Sequence, residues 1–146
     1  SVAPTGLDVV VIDVPEGEAA QVAALAAASG VAAQRVHARS GLDHGDRAAV
    51  LGRAAAFVAP SPRGAWPWRV VEAMASGAPV VALDSDVHRE VVLDGGLVVP
   101  DSGLEDAVAE AIGGAAARLR VLALDRARAF SWAGAAARGW QVHADL

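Results

Sequence analysis

Short β-branched runs set off by glycine and proline constrain this chain more than any other feature. Val9-Val10-Val11-Ile12 lies between Gly6 and Pro15, and Ala56-Phe57-Val58-Ala59 is ended by Pro60 and Pro62. Pro79 opens Val80-Val81-Ala82-Leu83, and Gly95-Gly96 precedes Leu97-Val98-Val99. The first block is short and apolar enough to predict a strand buried on both faces. Residues 34–38 add a further short strand. Between these runs lie segments of helical spacing. Residues 16–29 are alanine-rich, carry Val22 and Leu25 at helical spacing and stop at Gly30. Residues 43–55 hold acidic side chains early and Arg53 late, matching the helix dipole. Residues 68–76 stop at Gly77, and residues 86–92 predict a turn or short helix. Strands alternating with helices predict an α/β layer fold with a mostly parallel sheet.

The last third reads as helical. Ser102-Gly103-Leu104-Glu105 has capping-box spacing and predicts a helix running to Ile112, broken by Gly113-Gly114. Residues 115–129 and 133–144 predict two more helices, with Ser131 as N-cap between them. No linker or internal repeat interrupts the chain, so residues 1–146 are expected to form a single domain.

Composition removes several chemistries. The 146 residues contain no cysteine, which excludes a disulfide framework, a thiolate metal site and a cysteine nucleophile. All 12 basic side chains are arginine, so no lysine exists for a Schiff base or a P-loop. The net charge of −5 argues against a nucleic-acid partner, which needs a basic face. Four scattered histidines make a metal site unexpected. No apolar stretch approaches the roughly 20 residues of a membrane span, and the first residues lack the pattern of a signal peptide, so a cytoplasmic location is expected.

In parallel sheets, ligands bind beyond the carboxyl ends of the strands. The loops at residues 14–16, 39–43, 60–68 and 84–88 occupy those places. Neither a GxGxxG nor a GxxxxGK[ST] motif is present, which argues against an ordinary dinucleotide domain and a P-loop enzyme. Within the expected helix at 68–76, Glu72 interrupts the apolar run Val70-Val71-Glu72-Ala73-Met74-Ala75. A carboxylate there must face a polar cleft or find donors. It sits about one turn inside a helix that opens toward a ligand-facing loop.

The segments Ala56-Phe57-Val58-Ala59-Pro60-Ser61, Val71-Glu72-Ala73-Met74-Ala75-Ser76-Gly77-Ala78-Pro79-Val80-Val81-Ala82 and Arg89-Glu90-Val91-Val92-Leu93-Asp94-Gly95-Gly96-Leu97-Val98-Val99-Pro100 resemble the donor-binding half of a GT-B glycosyltransferase of the retaining group 1 (family 4) type. Phe130-Ser131-Trp132 resembles the family's Phe-Ser-Trp element before the last helix. The resemblance covers nearly the whole chain from Leu7. It implies a Rossmann-like three-layer domain, the C-terminal half of a GT-B fold, acting in carbohydrate biosynthesis.

The resemblance also implies site residues. Glu72 would accept hydrogen bonds from the ribose hydroxyls of a nucleotide sugar, chemistry that suits an acceptor-only carboxylate. The loop before it, with Ser61, Arg63, Gly64, Ala65 and Trp66, would face the diphosphate or the sugar. Arg39 and Ser40 fall where the family places the nucleobase, and Glu90 matches a family glutamate near the cleft. The nucleotide sugar is a substrate; no cofactor and no metal are implied, and no catalytic base is assigned.

Two departures stand out. The family pairs its ribose-binding glutamate with another eight positions earlier, where this chain has Gly64, and Pro67, Trp68 and Arg69 replace a usual Gly, aliphatic residue and Pro. The chain also begins at what resembles the family's second strand. The first strand–helix unit, its basic residue for the diphosphate and the N-terminal acceptor domain are therefore expected outside it, and these 146 residues alone are not expected to turn over substrate. The alternative is a degenerate, non-catalytic nucleotide-binding or scaffold domain of the same fold. A sugar-nucleotide epimerase of this fold fits the tail and the EAMASG stretch less well. Exposed interface surface would allow homo-oligomers.

Plainer roles stand beside these. Glu72 would pair with Arg69 or Arg89, Ser61 would cap a turn, Glu90 would cap or pair locally, and Arg63 and Arg69 would be solvated charges. Asp84 and Asp86 would cap a helix. Trp66 and Trp68 would form a contact surface, either stacking on a sugar or packing on another domain, and Trp132 and Trp140 would be core or docking residues. His37, His44 and His143 read as surface or satisfied histidines, and His88, in a carboxyl-end loop, is the histidine to test.

Overall fold

The computed structural model describes residues 6–61 and 66–144. Its strands are β1 (Val9–Val11), β2 (Val36–Ala38), β3 (Phe57–Ala59), β4 (Val80–Leu83) and β5 (Leu97–Val99). Its helices are α1 (Ala19–Ala28), α2 (His44–Arg53), α3 (Trp68–Ala75), α4 (Asp86–Val92), α5 (Leu104–Ile112), α6 (Ala116–Ala127) and α7 (Trp132–Ala144). Among the described residues every strand pairing is parallel, as the alternation predicts. Contacts divide the chain into two compact units, one up to residue 47 and one from residue 48.

In the first unit β1 pairs with β2 in the register Val9↔Val36, Val10↔His37 and Val11↔Ala38. The expectation that the Val9-Val10-Val11-Ile12 run is buried on both faces is not met: Val9 and Val10 are 46% and 42% exposed. A two-stranded sheet with one helix, α1, against it has too few partners to cover both faces. α1 itself buries none of its residues.

In the second unit the sheet order is β3-β4-β5, and all four residues of the central β4 are buried. The two faces of β4 meet different helices. Val81 packs with Ala107 and Ala111 of α5 and Leu119 of α6. Val80 lies toward Val92 of α4, both beside Gly96. Fully burying a valine contributes roughly 1.5–3 kcal/mol, so this strand is the natural centre of the core. α3 adds Val70, Val71, Ala73 and Met74, and packs mainly against α6.

The helix ends explain the local punctuation. After α3, Gly77 takes φ +75°, the left-handed conformation that glycine adopts without cost. Its N–H donates to Met74 O and that of Ala78 to Ala73 O, each at 3.0 Å, the two bonds of a Schellman motif. Gly30 ends α1 in the same way. Ser131 caps α7 as expected, accepting from Gly134 N–H at 3.0 Å. Two expected caps are different. Ser102 and Glu105 do not frame the start of α5, because a 3₁₀ turn at Asp101–Gly103 intervenes and Gly103 takes the N-cap place. Ser85, not Asp84 or Asp86, caps α4, accepting from His88 N–H at 3.1 Å.

The turn after α4 is strained. Leu93 closes α4 with φ +46° and ψ −121°, and Gly95 N–H donates to Val92 O at 2.8 Å. Those angles belong to the first central residue of a type II′ turn, a glycine position. The Leu93 side chain is largely exposed, so little packing offsets the strain. Leu93→Gly is expected to raise the unfolding free energy by about 1 kcal/mol, read from a urea or thermal melt.

Candidate functional site

In the first unit, Arg39 and Ser40 follow β2 and are exposed. Their loop is held at both ends. Arg39 N–H donates to Val11 O at 2.8 Å, and Val14 N–H donates back to Arg39 O at 3.1 Å, extending the β1–β2 ladder. At the far end the buried Arg47 donates from Nη1 to Leu42 O at 2.9 Å, and Asp43 caps α2 by accepting from Asp46 N–H at 2.8 Å. The sequence reading does not reach Arg47, since an arginine in a polar helix carries no sign of burial. Asp8, also in this unit, pairs with Arg35 at 3.5 Å and His37 at 3.2 Å.

In the second unit, parallel neighbours β3 and β4 open their carboxyl ends on one edge of the sheet. Ser61 stands there, exposed, two residues past β3. Arg63, Gly64 and Ala65 lie outside the described residues. Trp66 and Pro67 lead into α3, where Trp68 N–H donates to Trp66 O at 2.9 Å.

Glu72 is half-buried on α3. Arg69 Nη1 donates to its Oε2 at 2.7 Å, so of the two expected partners Arg69 is the one engaged. Arg69 is thus a paired and half-buried side chain, not a solvated charge. An i,i+3 pair of this kind contributes only about 0.2–0.5 kcal/mol, so it orients the carboxylate more than it stabilises the helix. Arg89 is committed elsewhere, to Asp84 at 2.5 Å and Asp86 at 3.0 Å. The hydrogen bond to Asp84 and the charge of that carboxylate push its guanidinium up from an already high pKa, desolvation opposes them, and the charge of Asp86 adds to the rise. This competition explains why neither aspartate is a helix cap.

His88 is buried at 6% exposure, and its Nδ1 lies 2.7 Å from Leu83 O. A carbonyl only accepts, so Nδ1 carries the proton and donates it. The histidine ties α4 to the end of β4. The Glu90 side chain is exposed, while its carbonyl accepts from Arg126 Nη2 at 2.8 Å.

The aromatic residues converge more than their spacing suggests. Trp66 meets Trp68 edge to face at 6.3 Å and Phe130 at 5.9 Å, and Trp68 stacks on Trp132 at 6.5 Å. The Trp-Pro-Trp segment therefore packs on the Phe130-Ser131-Trp132 element, leaving Trp68 56% and Trp132 83% exposed. Neither Trp132 nor Trp140 is a core residue: α7 buries none of its side chains. Among the described residues no three His, Asp or Glu side chains gather as a metal site, and no helix is long and apolar enough to cross a membrane.

The parallel strands with helices on both faces of β4 form a Rossmann-like α/β architecture, and the chain matches the family model described as glycosyl transferases group 1 over residues 4–117. That is more than three quarters of its length, and the chain belongs to this family of glycosyltransferases. The match includes Glu72 and Glu90 and ends before Phe130-Ser131-Trp132. No curated protein matches the chain.

The position of His88 predicts a structural role. Removing its donor takes a hydrogen bond from the Leu83 carbonyl, so His88→Leu is expected to cost about 1–3 kcal/mol of stability, and His88→Asn, whose amide can still donate, less. Paired urea melts of the two variants read the difference.

Proposed function

We propose that this chain binds the nucleotide-sugar donor of a retaining glycosyl transfer, with Glu72 accepting hydrogen bonds from the ribose hydroxyls. The observation that carries the reading is the half-buried Glu72 carboxylate, held by Arg69 on the helix that follows the β3 carboxyl-end loop. A carboxylate fixed in this way accepts from two adjacent hydroxyls without losing further side-chain freedom. The start of α3 has no acidic residue in its first turn and no side-chain cap, which suits an anionic diphosphate. Ser61, Arg63, Gly64, Ala65, Trp66 and Glu90 are proposed to line the sugar and phosphate side. Acceptor groups are assigned to the other half of the GT-B architecture.

A second reading, a non-catalytic binding domain of the same fold, is favoured by one sequence fact: Gly64 stands where the family carries its other glutamate.

Titration with UDP, GDP, ADP and TDP, followed by amide NMR shifts, tests the donor reading. One of the four is expected to bind saturably, and Glu72→Gln is expected to weaken it about tenfold, the value of a hydrogen bond to a charged group. No binding at millimolar nucleotide, or binding indifferent to Glu72→Gln, overturns the ribose assignment. Nucleotide binding without transfer by the complete gene product supports the non-catalytic reading.

A further inference from the structure

We propose that Arg126 is a positioning residue of the donor site, fixing the last turn of α4, which bears Glu90, to the Trp66-Pro67-Trp68 segment that leads into α3. The inference rests on the donor-binding reading above and adds to it a residue far from the motif.

Arg126 is fixed from four directions. Its Nε donates to Val91 O at 2.9 Å and its Nη2 to Glu90 O at 2.8 Å, so one planar fork spans two consecutive carbonyls at the end of α4. Its guanidinium carbon lies 4.8 Å from the centre of the Phe130 ring, within cation–π range. Phe130 in turn meets Trp66 edge to face at 5.9 Å. Beneath the stem, Gly95 leaves the space that the arginine occupies: a Cβ there would stand 2.7 Å from Arg126 Cβ and 2.9 Å from its Cγ.

These contacts form one continuous path. It runs from the Glu90 carbonyl through the guanidinium and the Phe130 ring to Trp66, and then to Trp68 at the first position of α3. Two separate segments of the proposed site, one at each end of this path, therefore hold a common geometry only while the guanidinium is in place. The arginine itself touches no donor atom in this scheme. It acts through the backbone of Glu90 and through Trp66.

The test compares the 146-residue wild type with Arg126→Met, Phe130→Leu and Phe130→Tyr. The first removes the fork and keeps the stem, the second removes the ring, and the third keeps it. UDP, GDP, ADP and TDP are titrated, and the Trp66 indole N–H resonance, identified with Trp66→Phe, is followed in each protein. Arg126→Met and Phe130→Leu are expected to raise the Kd of the preferred nucleotide about three- to tenfold and to shift the Trp66 indole signal, whereas Phe130→Tyr restores both. Unchanged Kd in a folded Arg126→Met protein overturns the proposal, as does a loss in Phe130→Leu that Phe130→Tyr does not relieve. If the wild type binds none of the four nucleotides, the donor reading has failed. The brace is then judged by the Trp66 indole signal alone: a shift in both Arg126→Met and Phe130→Leu upholds it, and an unmoved signal overturns it.

Discussion

Helix ends carry carbonyls without intrahelical partners, and two arginines of α6 donate to carbonyls at or just past the ends of three helices. Arg120 donates to Ala54 O, just past α2, at 2.8 Å and to Gly77 O, just past α3, at 2.9 Å. Arg126 serves the end of α4. A hydrogen bond with one charged partner contributes roughly 1.5–3 kcal/mol, and a buried carbonyl left unpaired costs a similar amount. The placement of α6 is therefore tied to where the other helices stop. The Schellman turn at Gly77 and the tight turn at Leu93 are the backbone shapes that bring those carbonyls within reach of it.

The order of elements was legible because local chemistry governs it. Gly30, Gly77 and Ser131 end or begin helices through contacts within a few residues, which a linear pattern carries. Burial was less legible. The run beginning at Val9 reads as an interior strand by composition, yet its exposure depends on how many strands and helices join its sheet. The cap of α4 was misread because Asp84 and Asp86 have a competing attraction in Arg89, and the smaller hydroxyl of Ser85 is left to the backbone.

The candidate site divides along the same line. Glu72 stands out in sequence because it breaks an apolar helix, and its pairing with Arg69 is a neighbour effect on one helix face. Arg120 lies 66 residues from Ala54 and 43 from Gly77, and Arg126 is 35 from Val91. No spacing rule links such positions. Phe130 and Trp132 were visible as a motif, but their meeting with Trp66 and Trp68 depends on the tertiary return of the chain past α6.

Helix ends tied together by guanidinium and carbonyl groups behave differently from ones tied by carboxylate pairs. Carbonyls do not titrate, and a guanidinium stays protonated throughout the range in which proteins work. The ties that Arg120 and Arg126 make between helices therefore depend on no group that changes its charge in that range.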